Sequence, residues 1–212
     1  MSFEDQNQIS NHRIAHKVRA LIRELHTRVS SEEALQRIET LLDEAQMLLE
    51  GPTRIKWYEV DVDTDEETTH QLREEHRDYS LFRGESNPLA PPIIISKDKN
   101  SEGEEVVVGE VSFDQTREGP PRAVHGGMIA AVFDDVLSGV LSSAGATGSV
   151  TGKLTIRYRR PTPIDTDLRF EAWIDHQQGR RLTAQAHCLA NGEVTAEAEA
   201  LFVRIDMKDF TN

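Results

Sequence analysis

One histidine, two glycines and an aspartate in the middle of this chain could together hydrolyse an activated acyl group. His125, Gly126 and Gly127 stand directly before an apolar stretch, and Asp134 and Asp135 stand inside it. The first N–H groups of a helix lack partners, and glycine lets a ligand approach them closely. Such donors can stabilise an oxyanion while a carboxylate activates water. The glycines could equally form only a tight turn into a helix.

The apolar stretch must be the element that positions these residues. Apolar side chains recur every three or four residues across 128–146, which predicts one long helix. The helix is apolar nearly all round, so it is predicted to be buried. A buried carboxylate is costly unless it is paired, hydrated or part of a site. We therefore expect Asp134 or Asp135 to be functional.

Several stretches alternate polar and apolar residues, as half-exposed strands do. The turn signals Gln178-Gly179-Arg180 and Asn191-Gly192 separate the later ones. The predicted strands are 93–95, 106–113, 151–163, 168–174, 182–189 and 194–205. One long helix wrapped by a curved antiparallel sheet, preceded by an N-terminal helical hairpin, is an α+β protein with the hotdog fold.

Four motifs carry a family resemblance over residues 106–205. They are His125-Gly126-Gly127, Asp134 nine positions after the histidine, the run Tyr-Arg-Arg-Pro-Thr-Pro at 158–163, and Gly179-Arg180. The segment resembles the hotdog-fold acyl-CoA thioesterases of the phenylacetate-pathway type. It looks closest to the subset with Glu-Gly-Pro-Pro before His-Gly-Gly, here at 118–121.

The resemblance implies a role for each catalytic candidate. The Gly127 N–H would polarise the thioester carbonyl, and His125 would position the loop or the substrate. Asp134 would act as general base or as nucleophile, and Thr151 would orient the water. Gly119 stands about where some relatives carry an asparagine, and Asp135 has no family role.

A second group of residues is expected to bind substrate. The local basic patch suits the phosphates of coenzyme A, with Arg160 and Arg180 preferred, although these arginines could instead pair with neighbouring acids. The acyl pocket is expected beside Phe133. The predicted substrate-binding residues are Gly126, Phe133, Arg159, Arg160, Pro161 and Arg180.

Composition limits the other possibilities. The net charge of -13 argues against generic nucleic-acid binding. The single cysteine, Cys188, excludes an intramolecular disulfide. The N-terminus lacks the apolar core of a signal peptide, and no apolar run was expected to span a membrane. The sequence thus predicts a cytoplasmic protein with no metal and no cofactor. By resemblance it is a homodimer or dimer of dimers, with acyl-CoA sites at the subunit boundary.

The predicted order along the chain has five parts. Residues 1–11 form a disordered tail, and 12–50 form the helical hairpin, whose second helix opens on a capping box from Ser30 to Glu33. Residues 51–92 form an acidic, proline-containing lead-in with a short strand or anchor at Trp57, Tyr58 and Val60. Residues 93–207 form the hotdog domain, and 208–212 form a tail.

Three functions remain open at this point. The first is an acyl-CoA thioesterase with Asp134 and Gly127 in the roles above. The second is a non-catalytic acyl-CoA or lipid-binding hotdog protein that uses the helical hairpin to dock a partner. The third, a hotdog dehydratase, is disfavoured because its aspartate-and-histidine pattern is not found.

Overall fold

The computed structural model describes residues 3–56, 66–146 and 148–205. The predictions for Trp57, Tyr58 and Val60 and for the tail 208–212 fall outside these residues. The chain divides into two compact units. The helical unit contains the residues up to Ser80 together with Glu85–Pro88, and the sheet unit contains Leu81–Gly84 and the chain from Leu89 onward.

The helical unit begins with a helix that is longer than predicted. Helix α1 spans Phe3–Thr27, so residues 3–11 are helical and not a disordered tail. No glycine or proline occurs between Phe3 and Thr27, so nothing stops the helix from extending toward the N-terminus. One face of α1 carries His12, Ala15 and Arg19. His12 Nε2 lies 2.8 Å from Asp78 Oδ1, and Arg19 donates to the Asn87 carbonyl at 2.8 Å.

Helix α2 spans Glu32–Met47, and its N-cap is Ser31 rather than Ser30. The Ser31 hydroxyl oxygen accepts from the Ala34 N–H at 3.3 Å. Both helices expected between residues 12 and 50 are present, and no residue of α2 is buried among the described residues. The helix itself is present because capping and helix-forming side chains suffice for it locally.

The acidic lead-in contains a third helix that the sequence did not predict. Helix α3 spans Glu66–Asp78, where a solvated linker was expected. The many charged residues made this stretch resemble a solvated linker. Oppositely charged residues three positions apart nevertheless stabilise a helix, and so do basic residues in its last turn. Glu74 and Arg77 form such a pair at 2.8 Å. The Asp78 carboxylate then accepts a hydrogen bond from the buried Ser86 hydroxyl.

The sheet unit is a six-stranded antiparallel sheet, as predicted. Its strands are β1 Ile94–Lys99, β2 Glu105–Ser112, β3 Ser149–Tyr158, β4 Asp167–Gln178, β5 Arg181–Ala190 and β6 Glu193–Arg204. The order is β1-β2-β4-β5-β6-β3, so β3 pairs with β6 and not with the next strand in sequence. The predicted meander is therefore confined to β4, β5 and β6, and β3 is an edge strand. The turn residues Asn191 and Gly192 both have positive φ, which suits a tight hairpin.

The predicted long helix is divided in two. Helix α4 spans Gly126–Ser138 and α5 spans Val140–Ser143, with Gly139 between them. A Cβ on Gly139 would lie 2.8 Å from Val107 Cγ1, so only glycine lets β2 approach this closely. The Gly139 N–H bonds to the Val136 carbonyl three residues back, which tightens the last turn.

Helix α4 is also buried on one face only, which corrects the prediction of burial all round. Its buried residues are Ile129, Val132, Phe133, Val136 and Leu137, and they pack against the sheet. The opposite face carries Gly127, Ala131, Asp134 and Ser138, of which Gly127 and Asp134 are exposed. Small residues on this face made the whole helix look apolar in sequence.

One helical stretch of the described residues, Gly126–Ser143, is long and apolar enough to cross a bilayer by length and composition. In the fold it corresponds to α4 followed by α5, interrupted at Gly139. Its largest apolar side chains belong to the core that the sheet covers. The same composition is expected of a core helix, so the stretch is weak support for a membrane span.

Candidate active site

The loop before α4 is closed on itself by a proline turn. The Ala123 N–H donates to the Pro120 carbonyl at 2.9 Å, and Arg122 at the third turn position has a φ of 62°. The Gly119 N–H donates to the Ala123 carbonyl at 2.9 Å. The Pro-Pro pair fixes two φ angles in advance, so the loop loses little entropy when it closes.

Gly119 has a packing role that the sequence did not reveal. A Cβ at this position would lie 2.8 Å from His125 Cα and 3.2 Å from His125 Cβ. Real Cβ atoms do not approach backbone atoms this closely, so glycine is required for the loop to reach His125. The residue that stands in place of an asparagine in some relatives is therefore part of the histidine's support.

Backbone carbonyl groups from two other segments of the same chain hold this loop in place. The His125 N–H donates to the Arg117 carbonyl at 2.8 Å, and the Val124 N–H donates to the Thr162 carbonyl at 2.8 Å. Thr162 is buried and shares a hydrogen bond with Thr195 at 2.9 Å. The entry into α4 is thus tied to the segment that follows β3, which fixes where the helix begins.

His125 itself is the N-cap of α4. Its Nδ1 accepts a hydrogen bond from the Gly127 N–H at 3.0 Å, which fills one of the unpaired donors of the first turn. This bond uses the donor that the sequence assigned to an oxyanion. The Gly127 N–H is therefore capped by the imidazole.

Asp134 and Thr151, two of the expected site residues, lie in contact. Thr151 Oγ1 donates to Asp134 Oδ1 at 2.8 Å, although seventeen residues separate them. Both side chains are exposed in the single chain, so Asp134 is not the buried acid that the helix pattern implied. The hydroxyl fixes one oxygen of the carboxylate, and the other oxygen has no hydrogen bond within the residues that the structure describes.

A bulge in β3 is what turns Thr151 toward the helix. Thr151 lies opposite Phe202 and Lys153 lies opposite Leu201, so Gly152 is an extra residue in the strand. Phe202, Ala200, Ala198 and Ala196 share the core face of β6, and their partners on β3 share that face too. Without the bulge, Thr151 would point away from the helix, because alternate residues face opposite sides.

Tyr158 is a site residue that the sequence analysis missed. Its hydroxyl donates to the Gly126 carbonyl at 2.8 Å, and a Cβ on Gly126 would lie 3.2 Å from that hydroxyl oxygen. Tyr158 and Thr151 lie on the same strand, so β3 contacts α4 at both its start and its acid. The motif contained this tyrosine, but the alternation alone could not show which glycine it would reach.

Asp135, which had no assigned role, is an anchor for the segment before the sheet. Arg83 Nε donates to Asp135 Oδ2 at 2.7 Å, and Arg83 Nη2 donates to the Asp135 carbonyl at 2.8 Å. Phe82 packs against the core, and its carbonyl accepts from the Ile93 N–H at 2.8 Å. The two adjacent acids therefore have different partners and different tasks.

Phe133 is a core residue, which corrects its predicted place beside the acyl group. It is fully buried and packs edge-on against Phe170, with ring centroids 5.0 Å apart. No part of its ring is exposed to a ligand in this structure. Pro161, in contrast, is exposed next to the buried Thr162, and Gly126 is half-buried under Tyr158.

The three arginines proposed for phosphate binding do not form one patch. Arg159 donates to Glu197 at 2.6 Å, and the Arg159 guanidinium holds the pKa of the Glu197 carboxyl below its usual range. Arg160 pairs with Glu193. Arg180 lies in the β4–β5 turn, where its carbonyl accepts from the Arg204 N–H. Arg204 lies opposite Ser149 at the start of β3, whereas Arg160 follows the end of β3. The two arginines are therefore at opposite ends of that strand. Ten residues of strand separate those ends by about 30 Å.

The histidines do not gather into a metal site. Within residues 3–56, 66–146 and 148–205, no cluster of three or more His, Cys, Asp or Glu side chains could hold a metal ion. His12 faces Asp78 and Glu85, whereas His16, four residues on, is exposed.

Comparison with known proteins agrees with this fold. Residues 122–204 match the family model described as the Thioesterase superfamily. Acyl-coenzyme A thioesterase THEM4 of Xenopus laevis is 29% identical over 94 residues, which are 42% of this chain and 40% of that protein. Acyl-coenzyme A thioesterase THEM5 of Homo sapiens is also 29% identical over 94 residues, covering 43% of this chain and 38% of that protein. The match thus spans about two-fifths of the length of these curated relatives.

A solved structure extends the likeness to nearly the whole chain. The crystal structure of a thioesterase superfamily protein aligns with a TM-score of 0.70 at 26% identity, covering 91% of this chain and 94% of that one. Residues 122–204 therefore match the thioesterase superfamily, in a chain that has the hotdog fold.

Proposed function

We propose that this protein hydrolyses acyl-CoA thioesters to a free acid and coenzyme A. The observation that carries the proposal is the position of the Asp134 carboxylate, which accepts a hydrogen bond from Thr151 at 2.8 Å. Asp134 lies on the same exposed face of α4 as Gly127. Within the superfamily we assign the chain to the phenylacetate-pathway type with Glu-Gly-Pro-Pro before His-Gly-Gly. Residues 118–121 support that assignment because they build the loop that carries His125.

The reaction requires an oxygen nucleophile and a place for negative charge. In one route Asp134 accepts a proton from water, and the hydroxide adds to the thioester carbon. In the other route the Asp134 carboxylate adds directly, and water then hydrolyses the resulting anhydride. In both routes the carbonyl oxygen becomes an oxyanion, the C–S bond breaks, and the thiolate of coenzyme A leaves and takes up a proton.

The oxyanion would be bound by the Gly127 N–H at the start of α4, where the helix dipole adds partial positive charge. That N–H is donated to His125 Nδ1 in the free site. Substrate binding must therefore exchange this bond, which a rotation of the imidazole about its side-chain torsions would allow. His125 would then release the Gly127 N–H, and this N–H would donate to the substrate oxygen.

The spacing along α4 supports a site built from two chains. Gly127 and Asp134 lie on one stripe of the helix, but seven residues separate them by about 10 Å along its axis. One carbonyl group cannot contact both within a hydrogen-bond distance. A second copy with its α4 antiparallel would place its Asp134 opposite the first copy's Gly127. We therefore propose a homodimer with two shared sites.

The free surfaces of the sheet unit fit such a dimer. Small residues at Ala131 and Ser138 let two α4 helices approach closely along the open face. Strand β3 is an edge strand, and its residues are exposed or half-buried in the single chain. Pairing β3 with the same strand of another copy would satisfy its free backbone groups.

Arg160 and Arg180 lie at opposite ends of β3, so only one of them can bind the phosphates of a given coenzyme A. Arg160 would have to exchange Glu193 for phosphate, whereas Arg180 has no ion pair among the described residues. Arg180 also lies at the Thr151 end of β3, which is the end nearer Asp134. We prefer Arg180 for this reason.

The direct test is thiol release from a panel of acyl-CoAs, with Asp134→Asn as the variant. We expect release by the wild type, and release near background with unchanged acyl-CoA binding for the variant. Asp135→Asn is the matched control, since it neutralises the adjacent acid and should keep most of the turnover. Equal turnover in wild type and Asp134→Asn would contradict the proposed role of Asp134.

A non-catalytic acyl-CoA-binding protein is the second candidate. The capped Gly127 N–H favours it, because a binder has no need of a free oxyanion donor. Binding of every acyl-CoA in the panel without any thiol release would support this function. The same result would exclude the hydrolase.

A further inference from the structure

Helix α2 displays an apolar face with no buried residue in the described part of the helical unit. Its apolar residues follow the alternating three- and four-residue spacing of a helix that packs along a partner helix. They are Leu35, Ile38, Leu42, Ala45 and, just after the helix, Leu49. Leu35 and Leu42 are 41% and 46% exposed, and Leu49 is 81% exposed. Ile38 is half-buried, and no residue of the stripe is buried among the described residues, so most of its apolar surface is exposed.

Helix α1 has two faces with different neighbours. The first face, with His12, Ala15 and Arg19, turns toward Asp78, Glu85 and Asn87 of its own unit. The second face has the same alternating spacing as α2 and consists of Ile14, Val18, Leu21 and Leu25. Ile14 and Leu25 are 54% and 46% exposed, and Val18 and Leu21 between them are half-buried, so part of this second face is open.

The two open faces have opposite charge around them. Helix α2 contains five acids and one basic residue. Residues 13–28 of the first helix and its end contain five basic residues and one acid. Arg13 and Lys17 flank the open face of α1, and Glu39 and Asp43 flank that of α2. The apolar stripes and their charged borders are therefore complementary to each other and not to themselves.

We propose that a second copy of this chain covers these faces, with α2 of one copy packed on the second face of α1 in the other. Exchanged in both directions, the contact gives a bundle of four helices from two chains. The acidic border argues against a membrane as the occupant, because anionic lipid surfaces repel it. The complementary surface already exists on this same chain, so no other protein is required.

This contact is separate from the pairing proposed for β3 and α4. It joins copies through the helical unit, so evidence for or against this contact does not depend on the proposed active site. If both contacts form with different copies, dimers are linked into larger assemblies. If they form with the same copy, the helical units reinforce one dimer.

The first test uses the full-length chain and its mass as a function of concentration, measured by sedimentation. Leu42→Glu places a charge in the α2 stripe, and Thr40→Glu places the same charge on the opposite side of the helix. We expect Leu42→Glu to weaken one association step roughly tenfold or more, as loss of a buried apolar anchor does. Thr40→Glu should match the wild type. Identical masses for all three proteins at every concentration would overturn the proposal.

The second test separates a partner copy from closure within one chain. One copy carries Ile14→Cys and a mass tag, and the other carries Leu42→Cys; Cys188 is buried and does not compete. A mixed disulfide can form only between copies, and we expect it well above a control pair with Thr40→Cys. A chain carrying both Ile14→Cys and Leu42→Cys that closes only on itself, with no mixed product, would show that α2 docks on its own α1 and would refute the exchange.

Discussion

At the scale of single residues, the sequence named candidate side chains for the site but not their contacts. Asp134 and Thr151 meet at 2.8 Å, a contact that the sequence did not predict. Tyr158 was missed because the alternation of the strand does not show which backbone group its hydroxyl reaches. Phe133 was misplaced because a helical period tells which residues are apolar but not which face the core takes.

The Thr151 hydroxyl should matter to turnover because it fixes one oxygen of Asp134. Thr151→Val keeps the shape and removes the donor, and we expect a fall in kcat of roughly tenfold or more, the usual effect of losing a hydrogen bond to a charged group. Thr151→Ser keeps the hydroxyl and should retain most activity. Steady-state kinetics check this; equal kcat for the valine and serine variants would contradict it.

Gly119 should be intolerant of any side chain. A Cβ there would lie 2.8 Å from His125 Cα, so Gly119→Ala must shift the loop or the histidine. We expect a loss of about 1–3 kcal/mol in the free energy of unfolding, the range of overpacked sites. Gly103→Ala, in an open turn at a φ of 85°, is the comparison for glycine strain without a clash. Chemical denaturation measures both, and an unchanged Gly119→Ala would disprove the close packing.

At the scale of elements, the strand pattern and turn residues predicted the sheet, but local signals could not order it. Strands β4, β5 and β6 follow tight turns and pair in sequence order. Strand β3 instead crosses to pair with β6, because the helix stands between β2 and β3 in the chain. Helix α3 was missed for a related reason, since charge density alone cannot separate a solvated helix from a linker.

The bulge at Gly152 gives a prediction at this scale. Deleting Gly152 removes the extra residue, so Thr151 would turn to the other face or the strand would slip by one residue. Gly152→Ala keeps the residue count, and its Cβ would lie 3.3 Å from Val203 Cγ2 and 3.5 Å from the Leu201 carbonyl oxygen. We expect the deletion to abolish thiol release and the alanine variant to retain it, with circular dichroism checking the fold of both. Activity in the deletion variant would show that the bulge does not position Thr151.

At the scale of the whole molecule, the chain forms two units whose boundary was not visible in sequence. Residues 81–84 belong with the sheet, whereas 85–88 belong with the helices, so the chain crosses between the units more than once. A composition-based boundary at residue 93 could not detect this. Short segments of four residues carry too little pattern to be assigned without their contacts.

The pH dependence of the free energy of unfolding should reflect the burial of Cys188. Burial raises the pKa of its thiol from 9.0 to about 11. The folded chain therefore keeps the proton after the unfolded chain has lost it, so the contribution to stability is complete below pH 9 and is lost as the pH rises toward 11. We expect a loss of about 3 kcal/mol across this window relative to Cys188→Ala. Urea unfolding at several pH values measures it; parallel pH curves for the two proteins would contradict the burial.

The latch between Arg83 and Asp135 sets how far the protein can be shortened. Phe82 and Arg83 bind the sheet unit through the core, the Ile93 N–H and the centre of α4. A fragment trimmed to start at Ile93 would lose these contacts and leave a half-buried carboxylate without its arginine, beside the proposed catalytic acid. The smallest excisable piece that keeps the site's support accordingly starts at Leu81, twelve residues earlier than composition alone suggests.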